Sequence, residues 1–274
     1  MTETSPAKPQ STPVLLAPAT LDFYRKGMSV LDRAGVRFLV GGAYAFGKYT
    51  GIARHTKDFD IFVHASEADR ALQALAAAGY RTEMTFPHWL GKAWNGEDFI
   101  DVIFSSGSGI AVVDEAWFEH SVEGEVFGVP VRLIPAEEMI WSKAFVNERE
   151  RYDGADVEHL IRCRAAELDW RRLIGRFGRF WRVLFGYLVL FGFIYPGERT
   201  RIPAEVMDEL IGRLRGESGN DESLPRVCQG TLLSRAQYLI DVQAWGYKDG
   251  RLLPDVRMSE EDIAHWTQAI GTIA

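Results

Sequence analysis

The feature that most narrows what this chain can become is the stretch "FLVGGAYAFGKYTGIARHTKDFDIFV", residues 38–63. An apolar run ends in Gly41-Gly42, and sixteen residues after Gly42 a second apolar run opens with Asp58 and carries Asp60 two positions on. Side chains alternate along a strand, so Asp58, Asp60 and Phe62 share one face while Phe59, Ile61 and Val63 share the other. The Phe59 face supplies the core contact. The two carboxylates then stand side by side on the opposite face, where they repel each other, and burying them unpaired costs several kcal/mol.

A divalent cation removes that cost, since Mg²⁺ takes oxygen ligands and typically binds through one or two carboxylates plus substrate phosphates. A third carboxylate lies in "EDFIDVIF". There Ile100, Val102 and Phe104 form an apolar face, and Asp101 points the other way with Phe99 and Ile103. Asp98 is the substitute should the register differ. Two carboxylates on one strand and a third on its neighbour can hold two metal ions about 4 Å apart, the arrangement used for in-line phosphoryl displacement. The glycine pair fits the same chemistry, because a Gly-Gly turn ahead of a helix lets the backbone approach a phosphate at the helix N-terminus.

The rest of the chain reads as follows. Helices are expected over 17–35 and 66–79, a short one after the glycines at 43–49, and a loop over 50–56. Strands are expected over 36–40, 58–63, 80–86 and 98–106, with a hairpin over 124–135 turning at Gly128. From Pro135 the pattern becomes helical, over 136–149, 154–167, 169–191, 203–216 and 259–271. The division is a tail over 1–16, rich in Ser, Thr and Pro and read as disordered, an α/β part over 17–134, and a helical part over 135–274. The fold class is α+β, a mixed sheet followed by a helical domain.

Composition limits the partners. The 274 residues are 47% hydrophobic and 25% charged, with a net charge of −7. That balance suits a globular enzyme and disfavours nucleic acid as a partner. Cys163 and Cys228 lack metal-ligand spacing and point to a reducing, cytoplasmic setting. His55, His64, His88, His120, His159 and His265 show no zinc spacing either. The uncharged run from Val183 to Tyr195 has only 13 residues. A bilayer span needs roughly 20 residues, so this run reads as a buried helix with no membrane role. Arg171, Arg172, Arg176, Arg179 and Arg182 before it read as a solvated basic ridge.

Gly41, Gly42, Asp58, Asp60 and Asp101, spread over about residues 36–104, resemble the pattern of the DNA polymerase β-like nucleotidyltransferase superfamily. The wording "HTKDFDIFV" looks like its bacterial toxin–antitoxin and abortive-infection branches. Blocks such as "RYDGADVEHLI" and "GTLLSRAQYLIDVQAWGYKD" resemble bacterial proteins described only as nucleotidyltransferase family proteins. The resemblance implies transfer of a nucleoside monophosphate from an NTP, ATP foremost, to a hydroxyl of a small molecule or protein, with Mg²⁺ or Mn²⁺ as cofactor. Asp58, Asp60 and Asp101 would be the metal-binding and catalytic residues. Gly41, Gly42, Lys48, Lys57 and Lys143 would contact the nucleotide, in a cleft between the two parts. Lys143 has an equally good structural role, an interhelix salt bridge, with Asp153 or Asp156 as the cap of the following helix. One departure stands out: the helix after the glycines lacks the serine that many members place there, leaving Tyr44, Lys48 or the backbone to replace it. The alternative is a regulatory module that keeps the fold without the reaction.

Overall fold

The computed structural model describes residues 16–54, 56, 58–217 and 226–270. The tail expected over 1–16 therefore lies, apart from Leu16, outside the described residues, as does Lys57. The chain forms two compact units. The first holds the residues up to Met84 with Gly91–Ile103 and Asp114–Ile134; the second holds Thr85–Leu90, Phe104–Val113 and the chain from Pro135 onward.

In chain order the first part of the sequence forms α1 (Pro18–Arg33), β1 (Phe38–Val40), α2 (Gly42–Thr50), β2 (Asp58–Val63), α3 (Ala68–Ala77), β3 (Arg81–Phe86), β4 (Leu90–Asn95), β5 (Asp98–Ile103), α4 (Glu115–Glu119), β6 (Val122–Val126) and β7 (Val129–Leu133). Helix α1 opens on a proline, whose missing N–H would have no helical partner at that position anyway. It buries Phe23, Tyr24, Met28 and Leu31. The seven strands lie in the order β3-β4-β5-β2-β1-β7-β6. Strand β2 runs antiparallel to β1 and parallel to β5, while β7 runs parallel to β1 and antiparallel to β6. The sheet is mixed, and the fold is α+β.

Strand β2 buries its odd face. Phe59 is fully buried, stacks on Tyr24 at 5.0 Å between ring centroids, and lies 5.5 Å from the ring of Phe127. Phe127 itself sits at φ 57°, beside Gly128 at φ 75°, and the two left-handed residues make the tight turn of the β6–β7 hairpin.

Strand β4 is absent from the sequence reading. Its residues, "LGKAWN", do not alternate cleanly, and Gly91 occupies a strand position because a Cβ there would fall 2.7 Å from Leu72. The available signal was the Asn95-Gly96 dipeptide ahead of β5, with Gly96 at φ 66°.

The second unit carries α5 (Ala136–Lys143), α6 (Gly154–Arg164), α7 (Trp170–Phe177), α8 (Trp181–Ile194), α9 (Ala204–Gly216), β8 (Val227–Cys228), α10 (Leu239–Gln243), β9 (Lys248–Asp249) and α11 (Glu260–Gln268). The single helix expected over 169–191 is interrupted at Gly178, whose φ of 47° breaks the right-handed path before α8 begins. The arginine ridge is also not uniformly solvated. Arg172 and Arg176 turn inward onto Glu138, which is fully buried, and Arg172 also meets Glu137 at 2.5 Å. The ionic clamp ties α5 to α7, and only Arg179 and Arg182 of this group pair at the surface, with Asp255 and Glu217.

Helix α8 buries Trp181, Leu184, Tyr187, Leu188 and Phe191 on one side. Its other side exposes Val189, Leu190, Phe193 and Ile194, with Phe193 82% exposed. The expectation of a buried helix therefore holds for one face only. By length and composition alone the helical stretch Trp170–Ile194 would suffice to cross a membrane, although 39% of its apolar window is buried within the protein.

Glu158 on α6 is buried to 2% exposure, and neither carboxylate oxygen has a hydrogen-bond partner among the described residues. Burial raises its pKa to about 8. The folded protein therefore holds a proton that the unfolded chain releases near pH 4.5, so stability falls as pH rises from about 4.5 to 8 and levels off above. Glu158→Gln should remove that slope. Denaturant titrations are expected to show little difference from the parent at pH 5 and a gain of up to about 4 kcal/mol at pH 8, at about 1.4 kcal/mol per pH unit. An equal effect at both pH values would mean that the carboxyl is not held neutral.

Candidate active site

The parallel register of β2 and β5 places Asp60 directly opposite Asp101, and Asp58 opposite Phe99. One carboxylate oxygen each from Asp58, Asp60 and Asp101 can be chosen so that all three lie within 4.8 Å of one another. Asp101 is buried and the other two are half-buried. Asp98 lies elsewhere: it accepts a 2.8 Å hydrogen bond from the Thr20 hydroxyl on α1.

The glycines close the other side of this cluster. The Gly41 N–H donates to the Asp60 carbonyl at 3.0 Å, continuing the β1–β2 ladder to its end. A Cβ on Gly41 would fall 2.2 Å from the Phe62 ring. At Gly42 the conflict would be with the functional group itself, because a Cβ there would fall 1.6 Å from Asp60 Oδ2. Gly42 also has φ 52°, a conformation that side chains disfavour. Only glycine lets the start of α2 sit against the Asp60 carboxylate. No side chain caps α2 among the described residues, so its first-turn N–H groups are left for water or an anionic ligand.

Three further side chains bear on the cluster, Thr56 and Lys92 by direct contact and Tyr44 through the field of the carboxylates. The Thr56 hydroxyl donates to the Asp58 carboxylate, which makes it part of the carboxylate's setting rather than a loop cap alone. Tyr44, in the first turn of α2, packs edge-on to Phe59 at 5.6 Å. Burial first, and then the charges of Asp58 and Asp60, push its pKa up to about 12, so its hydroxyl stays protonated and able to donate. The third is Lys92 on β4, whose ammonium lies 2.6 Å from Asp101 Oδ1 and 4.1 Å from the centroid of the Phe99 ring. Sequence reasoning missed Lys92 because it missed β4.

Two of the three expected lysines lie among the described residues. Lys48 is exposed in the last turn of α2, six residues past Gly42, which is about 9 Å along the helix at 1.5 Å per residue. Lys57 lies outside the described residues. Lys143, in the second unit, lies 2.9 Å from Asp153 and 2.9 Å from Asp156 and joins α5 to the start of α6. Burial pushes the Asp153 pKa up, but Lys143 and Arg151 more than offset this and hold it below the ordinary carboxylate value. Lys143 is thus engaged as the structural ion pair that the sequence offered as its other role.

No family model matches the chain, and no curated protein matches it in sequence. Among solved structures it is similar to the antibiotic-resistance factor ANT(2″)-Ia in solution, with 19% identity, 63% of this chain and 96% of that chain covered, and a TM-score of 0.45. The crystal structure of ANT(2″)-Ia with adenylyl-2″-tobramycin gives 16%, 61%, 99% and 0.44 for the same quantities. The lincomycin-bound lincosamide antibiotic adenylyltransferase LnuA gives 16%, 53%, 96% and 0.37. These structure neighbours are nucleotidyltransferases. The structural overlaps are partial, with TM-scores below 0.5.

The residues present fit a divalent cation: three hard oxygen donors converge, and the glycine turn lets the backbone pack directly against one of them. Gly42→Ala is expected to displace the Asp60 carboxylate and weaken Mn²⁺ binding, read by calorimetric titration, at least about tenfold. Gly51→Ala is the control, since Gly51 has φ 75° but nothing within 4 Å of its would-be Cβ. It should cost about 1 kcal/mol of stability through backbone strain alone and leave Mn²⁺ affinity unchanged. Equal losses of affinity in both variants would detach the glycine from the site.

Proposed function

We propose that this chain is a divalent-metal-dependent nucleotidyltransferase. It moves a nucleoside monophosphate from an NTP, ATP foremost, to a hydroxyl of a small molecule or protein and releases pyrophosphate. The observation that supports this reading is the convergence of Asp58, Asp60 and Asp101 beside the Gly42 backbone. Three carboxylates drawn together in a partly buried site oppose folding unless something positive occupies the space between them.

Asp58 and Asp60, with Asp101, would hold Mg²⁺ or Mn²⁺, which when bound neutralises phosphate charge. Gly41, Gly42 and the first turn of α2 would receive the triphosphate through backbone N–H groups. Lys48 and Lys57 are proposed as outer contacts to the phosphates. The acceptor oxygen would attack the α-phosphorus, the bond from that phosphorus to the oxygen bridging it to the β-phosphate would break, and the hydroxyl proton would pass to Asp101. Tyr44, held protonated, can donate to a phosphate oxygen where the family pattern has a serine. Most of the rate enhancement would come from positioning and charge neutralisation. The setting we assign is the cytoplasm, in keeping with Cys163 and Cys228 standing outside any disulfide.

A second reading, a regulatory module without the reaction, has one observation on its side: Lys92 engages an oxygen of Asp101. The two readings separate in a transfer experiment. Purified protein with Mg²⁺ or Mn²⁺ and each α-labelled NTP is offered small-molecule pools, lysate protein and total RNA, with Asp60→Asn as control. The net charge of −7 favours label on a small hydroxyl compound or a protein Ser, Thr or Tyr over RNA. The expected result is metal-dependent label on one of the first two pools and none with Asp60→Asn. Label on RNA alone would overturn the acceptor class, and no transfer to any pool would favour the regulatory module.

A further inference from the structure

Lys92 is in direct contact with the acidic cluster, and it reaches the cluster from a strand that contributes none of the three carboxylates. Its side chain is largely shielded, with 21% exposure against 11% for Asp101, and Phe99 covers it at 4.1 Å from the ring centroid. Both partners sit on neighbouring strands of the sheet, so the contact is fixed by backbone pairing and is not a meeting of two mobile surface side chains.

We propose that Lys92 is a positioning residue for Asp101, an inference that rests on the nucleotidyltransferase reading. It engages Oδ1 of Asp101 and so keeps this carboxylate from turning fully onto a metal ion as a third equal ligand. Asp58 and Asp60 are left as the principal metal pair, and Asp101 is held in an orientation that directs its carboxylate at the acceptor hydroxyl. The lysine also places a positive charge directly against the cluster. The two aspartates on β2 and the one on β5 thereby acquire different tasks, although they lie within 4.8 Å of one another.

This division of tasks has a signature that a purely structural lysine lacks. Lys92→Met removes a positive charge and frees an Asp101 oxygen, so Mn²⁺ binding should tighten, by about tenfold for a unit charge a few ångströms away. Label transfer should slow over the same substitution, in kcat more than in KM for the NTP. Lys92→Arg, which retains charge and reach, should restore both towards the parent. The tightening acts through Asp101, so Lys92→Met should change Mn²⁺ affinity much less in an Asp101→Asn background than in the parent. The measurements are calorimetric titration with Mn²⁺ alone, transfer kinetics, and thermal melting of every variant.

Tighter Mn²⁺ binding with slower transfer, both dependent on Asp101, carries the proposal. Unchanged Mn²⁺ affinity in Lys92→Met overturns it, as does equal tightening with and without Asp101. Joint loss of affinity and melting temperature, not recovered by Lys92→Arg, makes the lysine structural and overturns it too. If the parent protein binds no Mn²⁺ at all, the functional reading fails first, an outcome distinct from a parent that binds Mn²⁺ indifferently to Lys92.

Discussion

In a parallel strand pair the register decides which side chains stand opposite each other, and here it sets Asp60 of β2 against Asp101 of β5. A slip of one residue would bring Asp60 opposite an apolar position and disperse the cluster. What resists the slip is the reverse face of the same two strands. Phe59, Ile61, Ile100 and Val102 are all buried to 1% exposure or less, and a one-residue slip of either strand would send its own pair to the carboxylate side. At about 1.5–3 kcal/mol for each large apolar side chain buried, these contacts outweigh the repulsion between partly solvated carboxylates. The core thus holds the acidic groups together against their mutual repulsion.

The same economy of space explains the glycine pair. Residues 41 and 42 must carry the chain from the end of β1 into α2 while passing over Phe62 and the Asp60 carboxylate, and any side chain would collide with one or the other. The result brings a helix N-terminus, a concentration of N–H groups, against a concentration of carboxylates. On the proposed reading a metal–phosphate pair would lie between these opposites, the cation facing one side and the anion the other. Lys92 adds an internal countercharge against Asp101 from the neighbouring strand β4, and so makes three chemically identical groups unequal.

The central part of this arrangement could be read from sequence because it depends on local patterns. Alternation along "DFDIFV" and "FIDVIF" gave the facing of Asp58, Asp60 and Asp101, and Gly41-Gly42 gave the turn. What escaped the reading depends on tertiary context. Strand β4 has a glycine where packing against Leu72 demands one, so its pattern was obscured and Lys92 with it. Arg172 and Arg176 look like a solvated ridge until Glu138, more than thirty residues earlier, turns out to be buried beneath them. Gly178 reads as a tolerable helix residue because nothing local announces its φ of 47°. Lys143 carried two equally good meanings in sequence, and its 2.9 Å contacts to Asp153 and Asp156 express the structural one.

The account stands or falls on what lies between Asp58, Asp60 and Asp101. The most direct measurement is a crystal structure grown with Mn²⁺ and a non-hydrolysable NTP analogue, with data collected at the manganese absorption edge. The account predicts an anomalous peak at about 2.1–2.3 Å, the range for oxygen ligands to such ions, from carboxylate oxygens of Asp58 and Asp60, with the triphosphate lying along the start of α2. Fully occupied Mn²⁺ and nucleotide elsewhere on the protein, with the three carboxylates unchanged, would contradict it.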